Sequence, residues 1–298
     1  MEKQKNHKIK TDLVTNLVIN ITIILFTAIV FYALYFVVIA SISDPDKTAA
    51  GEVLLLPKGV SFKPYWYIFR DKRIVSGYAN SIFYTFFGTL LSLFITIPAA
   101  YALSRQDFVG RKVIMRLMLF TMYFGGGLIP TYMVIDSLNL VNTRAILVIL
   151  GSFSVYNLIL ARTFFQTNIP LELQEAAEID GCGVTRFFFS IALPLSKSII
   201  AIMTLYYAVA RWNSFFDALI YISSASKYPL QLILRDILIQ GQNLQADVTD
   251  PDAFYEMQRI SRTIRYGVII VSSLPVLIIY PFVQKHFVKG VMIGSVKG

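Results

Sequence analysis

Residues 171–195 read LELQEAAEIDGCGVTRFFFSIALPL, an acidic and glycine-broken segment between two long apolar runs. Its first ten residues hold four carboxylates: Glu172, Glu175, Glu178 and Asp180. An amphipathic helix that lies on lipid is usually rich in lysine and arginine, and this segment has the opposite charge. The composition therefore favours docking into a groove of another protein over the alternative, anchoring on an anionic membrane surface.

The remainder of the chain has the composition of a polytopic membrane protein. Of its 298 residues, 56% are hydrophobic and 15% are charged, whereas about 25% are charged in soluble domains. The net charge of +9 does not indicate a nucleic-acid partner, because the basic residues cluster at the edges of apolar runs. The single cysteine, Cys182, excludes an internal disulfide, and histidines only at His7 and His286 predict no metal site.

Six apolar segments are long enough to cross the hydrocarbon as helices, which takes about 20 residues. They are residues 17–40, 78–103, 113–135, 144–166, 191–221 and 266–288. A signal peptide is the alternative for the first, but its apolar run is longer than the about 7–15 residues of a signal sequence, so a retained span is favoured. The predicted fold class is an all-α integral membrane protein with six transmembrane helices.

Lysine and arginine near span ends predict the orientation, since cytoplasmic loops carry an excess of both. They cluster in the N-terminal tail, in the connection between spans two and three and near the C-terminus, three regions that six spans place on one side. Both termini are therefore predicted to be cytoplasmic. The predicted cytoplasmic parts include the tails 1–16 and 289–298 and the loop 168–194, and the predicted extracytoplasmic loops are 41–77 and 222–265.

The acidic segment is predicted to form a helix, a glycine turn and a second short helix along the cytoplasmic surface. Asn168 and Pro170 are a suitable helix start, and Gly181 and Gly183 end the helix. Four residues at three-to-four spacing are predicted to share one narrow face: Leu173, Ala176, Ala177 and Asp180. A narrow face lets another surface approach closely.

This pattern resembles the EAA loop of ATP-binding-cassette (ABC) importer permeases. The matching positions are Glu175, Ala176, Ala177, Gly181, Ile191, Leu193 and Pro194. The resemblance extends over nearly the whole chain: NSIFYT at 80–85 is similar to carbohydrate-importer permeases, and residues 124–143 and 288–298 resemble the branch that imports oligosaccharides in Gram-positive bacteria. Cys182, where the family usually has alanine, is a small departure from which we expect no loss of docking.

The resemblance implies a type I ABC importer permease of the bacterial plasma membrane, with a cytoplasmic coupling helix. The chain would pair with a second homologous permease, and two separate ATPase subunits would dock on the coupling helices and drive alternating access. An extracytoplasmic solute-binding lipoprotein would deliver an oligosaccharide. ATP and Mg²⁺ would bind to the ATPase subunits, since this sequence has no GxxxxGK[ST] phosphate loop, and the chain itself is not expected to be an enzyme or to hold a cofactor. The implied docking residues are Glu175, Ala176, Ala177, Asp180, Gly181, Leu193 and Pro194.

The fifth predicted span is the most polar and offers a candidate translocation path. Tyr206, Ala210, Asn213 and Asp217 recur on one helical stripe, beside Arg211 and Trp212. Charged groups inside spans are functional candidates by default. The alternative is that Arg211 and Asp217 are snorkelling or paired structural residues near the outer interface. Weaker lining candidates are Tyr123, Tyr156 and Asn157.

Three further features have two readings each. Gly125, Gly126 and Gly127, followed by Pro130, interrupt the third span and are either a hinge or a site of close helix packing. Asn80 and Ser81 are expected to cap span two, with a role at the outer gate as the alternative. The loop 222–265, helical at Leu230–Ile239, either contacts the solute-binding protein or only covers the bundle.

A stand-alone secondary transporter of small solutes is the main alternative function. It predicts inverted repeats and ionisable residues at the membrane midplane, and the sequence shows no convincing example of either. A membrane enzyme would need a catalytic constellation, but the acids lie in loops. The oligosaccharide substrate is expected from the resemblance alone, and a uronate oligomer with Arg211 as its partner stays open.

Overall fold

The computed structural model describes residues 2–243, 264–278 and 281, and all regular secondary structure in these residues is helical. The α-helices are α1 (Glu2–Ser41), α2 (Pro45–Ala49), α3 (Lys63–Arg70), α4 (Lys72–Ser104), α5 (Arg111–Tyr123), α6 (Leu128–Ser137), α7 (Arg144–Ile149), α8 (Val155–Asn168), α9 (Leu171–Ile179), α10 (Val184–Phe187), α11 (Leu193–Leu195), α12 (Lys197–Trp212), α13 (Phe216–Tyr221), α14 (Leu230–Asn243) and α15 (Ile264–Ile278). A π-helical segment, Phe188–Ala192, joins α10 to α11, and a 3₁₀ turn, Ala225–Lys227, precedes α14. The predicted all-α class is confirmed.

Within the described residues, two helices are long and apolar enough to cross a bilayer unbroken, residues Thr15–Ser41 of α1 and the whole of α4. Two more candidates pass the same test only as bent pairs: α5 with α6, bent by 113°, and residues Val184–Leu195 with α12, bent by 78°. The helix α15 is apolar but shorter. The predicted segment 144–166 divides into α7 and α8, so the count of six spans stays a prediction.

The described residues divide into two compact units, of which the first contains residues 2–70, 237–243 and 264–272. In this unit Phe36 of α1 meets the ring of Tyr266 edge-on, with centroids 6.0 Å apart. A Cβ at Gly267 would lie 2.8 Å from Ile68 Cδ1, so this glycine permits close packing of α15 on α3. Most apolar side chains of α1 after residue 16 are exposed, which suits a helix surrounded by lipid.

The second unit contains residues 71–236, 273–278 and 281, and α4 is its central helix. It packs against α12, α8 and α7. One hydrophobic cluster joins the C-terminal half of α4 to α8, α9, α12 and the aromatic segment after α9, and a second joins its N-terminal half to α6, α7 and α13. Small buried residues on α4 permit this close packing: Gly77, Ser81, Gly88, Ser92 and Thr96.

The helix α4 begins earlier than predicted, and Asn80 and Ser81 do not cap it. The N-cap is Asp71, whose carboxylate accepts from the Arg73 N–H at 2.8 Å. Asn80 is buried inside the helix and donates to the Ser226 carbonyl at 2.8 Å. Ser81 Oγ accepts a backbone N–H from the start of α14 at 2.8 Å. Asn80 therefore joins α4 to the 3₁₀ turn, and Ser81 joins α4 to the start of α14.

The predicted helix start at 168–170 is confirmed for Pro170 and wrong for Asn168. Pro170 stands at the N-cap position of α9, but Asn168 is the last residue of α8, and its amide donates back to the Phe164 carbonyl at 3.0 Å. The predicted glycine break is confirmed: α9 ends before Gly181, whose φ of +74° favours glycine. The predicted second helix is partly π-helical rather than α-helical.

The glycine run interrupts the helix where predicted, between α5 and α6, and Gly127 has a φ of +81°. Pro130 does not break a helix, because it lies in the first turn of α6, where proline is tolerated. The hinge role of this segment stays a prediction. The predicted helix at Leu230–Ile239 is confirmed as part of α14, whereas residues 279–280 and 282–298 of the predicted last span and tail lie outside the described residues.

Candidate functional site

The helix α9 turns an acidic face away from the rest of the second unit. Glu175, Ala176 and Asp180 are exposed, whereas Ala177 is buried in the first hydrophobic cluster. The prediction that both alanines share one narrow face is therefore wrong, because successive residues of an α-helix are about 100° apart. Ile179 is 88% exposed and adds an apolar side chain to the acidic face.

Leu193 and Pro194, the other implied docking residues, lie at the 78° bend before α12. Leu193 is half-buried against the first hydrophobic cluster, and Pro194 is exposed. The Ser196 hydroxyl donates to the Ala192 carbonyl at 2.7 Å and satisfies a backbone group beside this break. The structure thus places these two residues in α11, next to the start of α12, and not on α9.

A cavity of about 160 Å³ lies between α4, α7, α12 and α13 in the second unit. Its wall combines hydroxyl groups, one cation and one carboxylate with apolar surface. The lining residues are Ser81, Tyr84, Leu147, Leu150, Gly151, Tyr207, Ala210, Arg211, Ser214, Asp217, Ala218 and Pro229. Hydroxyl and charged groups in an otherwise apolar wall are the features of a polar-ligand pocket.

Arg211 is the cation of this wall, and its guanidinium bonds the end of α7. Its Nη1 donates to the Leu147 carbonyl, and its Nη2 donates to the Val148 carbonyl at 2.9 Å. The last carbonyls of a helix have no partner within the helix, so Arg211 satisfies groups that would otherwise be costly in an apolar interior. A Cβ at Gly88 would lie 2.8 Å from Arg211 Cζ, and the guanidinium therefore rests on the backbone of α4.

The chain is similar to named transport proteins and to one chain of a solved structure. No family model matches the chain. It is 39% identical over 276 residues to the polygalacturonan/rhamnogalacturonan transport system permease protein YtcP of Bacillus subtilis (strain 168), covering 93% of this chain and 96% of that protein. It is 32% identical to the probable ABC transporter permease protein YurM of the same organism, covering 76% of this chain and 71% of that protein. The chain belongs to the ABC transporter sugar permeases.

A chain of a solved ABC transporter structure is also similar to this permease. The crystal structure of a bacterial ABC transporter involved in the import of the acidic polysaccharide alginate contains a chain with 32% sequence identity and a TM-score of 0.83. The match covers 93% of this permease and 98% of that chain. The predicted family is thereby confirmed, and the stand-alone carrier is not favoured. The permease is a membrane component of an ABC sugar import system, and its relatives are transport proteins and not enzymes.

The polar stripe predicted for span five is not continuous in the permease. The helix α12 ends at Trp212 and α13 begins at Phe216, so Asn213 and Asp217 do not belong to one helix. Of the predicted path residues, Arg211 and Asp217 line the cavity. The others do not line it: Tyr206, Trp212, Asn213, Tyr156, Asn157 and Tyr123.

Those other path candidates have different surroundings. Trp212 is buried against Tyr78, with ring centroids 5.9 Å apart. Tyr123 and Tyr156 are exposed at 76% and 58%, positions that suit a lipid-facing or subunit-facing surface. Asn157 is buried in the first turn of α8, and its backbone N–H is capped by a serine hydroxyl at 3.4 Å.

The sequence did not predict Tyr84, Tyr207 or Ser214 of the cavity wall, and it predicted Ser81 as a helix cap with a role at the outer gate as the alternative. Ser81, Tyr84 and Gly88 recur at helical spacing on α4, and this stripe of small and hydroxyl residues was the available signal. Among the residues that the structure describes, no group of three histidine, cysteine or acidic side chains could hold a metal ion.

Proposed function

We propose that this permease is one transmembrane subunit of an ATP-driven, binding-protein-dependent oligosaccharide importer of the plasma membrane. It pairs with a second homologous permease, two ATPase subunits dock on the cytoplasmic side, and an extracytoplasmic lipoprotein delivers the sugar. ATP and Mg²⁺ bind to the ATPase subunits. The observation that carries this proposal is the exposed face of α9, with Glu175, Ala176, Ile179 and Asp180 turned outward.

That face suits a protein partner better than lipid. Its carboxylates are repelled by anionic headgroups, whereas an exposed isoleucine gains most from an apolar pocket in another protein. Because Glu175 and Ile179 make no contact that the fold requires, they can be changed without disturbing the core.

The test is co-purification of the ATPase together with sugar uptake in cells. We expect Glu175→Arg with Ile179→Asp to lose the ATPase and uptake while the permease remains in the membrane. Val109→Arg, at a side chain that is 91% exposed on another loop, is the matched control and should keep both. Normal uptake and normal ATPase recovery in the double variant would contradict docking through α9.

Uronate-bearing oligosaccharides are the substrate class that we propose. One relative is named for polygalacturonan and rhamnogalacturonan, and the similar solved transporter is described as importing the acidic polysaccharide alginate. Arg211 in the cavity wall adds a guanidinium, the group that best matches a carboxylate. Uptake of labelled oligogalacturonate, competed by neutral and by acidic oligosaccharides, tests this, and stronger competition by the neutral sugars would contradict it.

The cavity is proposed as part of the translocation path, and two neighbouring positions test this. Ser214 lines the cavity, whereas Asn213 does not. In a Cys182→Ala background, Ser214→Cys should react with a water-soluble thiol reagent at a rate that changes when ATP or sugar is added. Asn213→Cys is the adjacent control and should not show that dependence. A constant rate at Ser214→Cys would remove the cavity from the path.

A further inference from the structure

Arg105 is the charged residue that the fold buries most completely among the described residues, with 7% of its surface exposed. It follows Ser104, the last residue of α4, so it stands where α4 leaves the bundle. Burying a guanidinium is costly unless its donors are paired. The partners of Arg105 therefore show why a charge is kept at this point.

The guanidinium of Arg105 joins three helices. Its Nη1 donates to Gln174 Oε1 of α9 at 3.0 Å. Its Nη2 donates to the carbonyls of Phe165 and Ile169, at the end of α8, at 3.4 and 3.3 Å. The same group lies over the ring of Tyr101 of α4, 5.0 Å from its centroid. A planar group with five donors can serve several acceptors at once, which a lysine ammonium cannot do in this geometry.

Gln174 connects this group to α9. It is buried, with 6% of its surface exposed, and its Nε2 donates to Glu178 Oε1 at 2.8 Å. Glu175 and Ile179, on the outer face of the same helix, are exposed. The inner face of α9 is therefore hydrogen-bonded to Arg105, while the outer face is free to meet a partner.

The helix α4 leads from Arg105 to the cavity. Its residues Ser81 and Tyr84 line the cavity wall, and Gly88 supports the guanidinium of Arg211. The α4 helix continues from these residues to Ser104, with Pro98 inside it, and rigid secondary-structure elements are among the structures that carry coupling between distant sites.

We propose that Arg105 is a positioning residue that makes α9, α8 and α4 move together, through its bond to Gln174. Displacement of the docking face by the ATPase then reaches the cavity wall through α4. The proposal rests on the proposed function, since it concerns how a docked ATPase moves this permease. Its failure and the failure of docking can be distinguished, because they affect different measurements.

The decisive variant is Gln174→Met, which keeps the volume of a buried side chain but removes the acceptor of Arg105. Glu178→Gln is the matched control, since it keeps an acceptor for Gln174 and leaves the bond to Arg105 in place. Both are measured in the complete complex in proteoliposomes as ATP hydrolysed per sugar transported. We expect Gln174→Met to raise this ratio at least about fivefold with the ATPase still bound, and Glu178→Gln to leave it within about twofold.

A distance measurement separates coupling from general loss of structure. Spin labels at Glu172→Cys on α9 and Gln106→Cys after α4, in a Cys182→Ala background, report the separation of the two elements. Gln174→Met should broaden the distance distribution and weaken its response to ATP. Arg105→Lys should also uncouple ATP hydrolysis from sugar transport. Adding Gln174→Glu to Arg105→Lys should restore the ratio through an ion pair. This pair of variants tests the proposal even if Gln174→Met does not fold.

The outcomes decide between the two proposals. A native ratio and a native distance distribution in Gln174→Met, with ATPase bound, would overturn the role of Arg105 and leave docking intact. Absence of any ATPase from the unmodified complex would overturn the proposed function, and the role of Arg105 with it. A raised ratio in Gln174→Met, together with a native ratio in the Arg105→Lys, Gln174→Glu pair, would support the role of Arg105.

Discussion

Replacing Gly88 by alanine should destabilise the permease, although alanine is the better helix former. A Cβ at this position would lie 2.8 Å from both Cζ and Nε of Arg211. The guanidinium would have to move, and its bonds to the Leu147 and Val148 carbonyls would weaken. The effect therefore arises between α4, α12 and α7 and not within α4 itself.

The magnitude follows from three contributions. Overpacking costs about 1–3 kcal/mol, and two weakened hydrogen bonds cost about 0.6 kcal/mol each inside a membrane protein. Alanine in place of glycine in a helix interior stabilises the folded state by about 1 kcal/mol. The net loss of unfolding free energy for Gly88→Ala is then about 1–3 kcal/mol, which lowers the melting temperature by about 5 °C.

A double-mutant cycle in a thermal melt of the detergent-purified permease isolates the contact. In Arg211→Met the guanidinium is absent and the flexible thioether can avoid the new Cβ. Gly88→Ala should therefore be neutral or stabilising by up to about 1 kcal/mol in that background. The coupling between the two changes should be about 1–4 kcal/mol.

Arg116→Met is the control background, because Arg116 is an exposed arginine on α5. Gly88→Ala should cost the same with and without it, since distant changes add. An equal cost in the Arg116→Met and Arg211→Met backgrounds would refute the contact, as would a stabilising effect of Gly88→Ala in the unmodified permease.

Three further predictions use the same melt. Tyr207→Phe should cost about 1–2 kcal/mol because it leaves the Thr96 hydroxyl, 2.7 Å away, without its buried partner; adding Thr96→Val should recover part of that loss, and no recovery would count against the bond. Asn142 has a φ of +57° and bonds two backbone N–H groups and a serine hydroxyl, so Asn142→Ala should cost about 2 kcal/mol and Asn142→Asp less, an order whose reversal would exclude this account. A side-chain hydrogen bond from Arg73 holds the pKa of the Asp71 carboxyl below its ordinary value of 3.8. A lowered pKa adds stability above the unfolded-state value, and this stability is lost as the pH falls through the folded-state pKa. At neutral pH the unfolding free energy of Asp71→Asn should therefore be lower than that of the native protein by under about 1 kcal/mol, and in acid the two should be equal. A difference that widens in acid would contradict the assignment.

Local sequence patterns predict part of the structure of the acidic segment, residues 171–195. Its helix and its glycine break were predictable because they depend on residues a few positions apart, such as Gly181 and its positive φ. The inward turn of Ala177 and the outward turn of Ala176 were not, because the core decides which face of α9 is buried. The asparagines at 168 and 80 predict helix caps because asparagine is a good capping residue, but Asn168 is the last residue of α8 and Asn80 lies inside α4.

The cavity shows the opposite case, in which little was predictable. Arg211 and Asp217 stood out because charge is rare inside a span. Tyr84, Tyr207 and Ser214 did not, because hydroxyl residues are common in membrane helices and only packing shows which of them meet. The break between α12 and α13 also rearranged the stripe that a continuous helix would have presented.

The amino-acid sequence by itself determined the membrane class, the helical composition and the permease family, because these depend on apolar run lengths and on a motif of closely spaced residues. Only the tertiary structure decided which groups the buried arginines bond. Arg105 reaches a glutamine 69 positions along the chain, and Arg211 reaches a carbonyl 64 positions back. A guanidinium removed from water must find acceptors, and the packing of helices distant in sequence determines which acceptors are near.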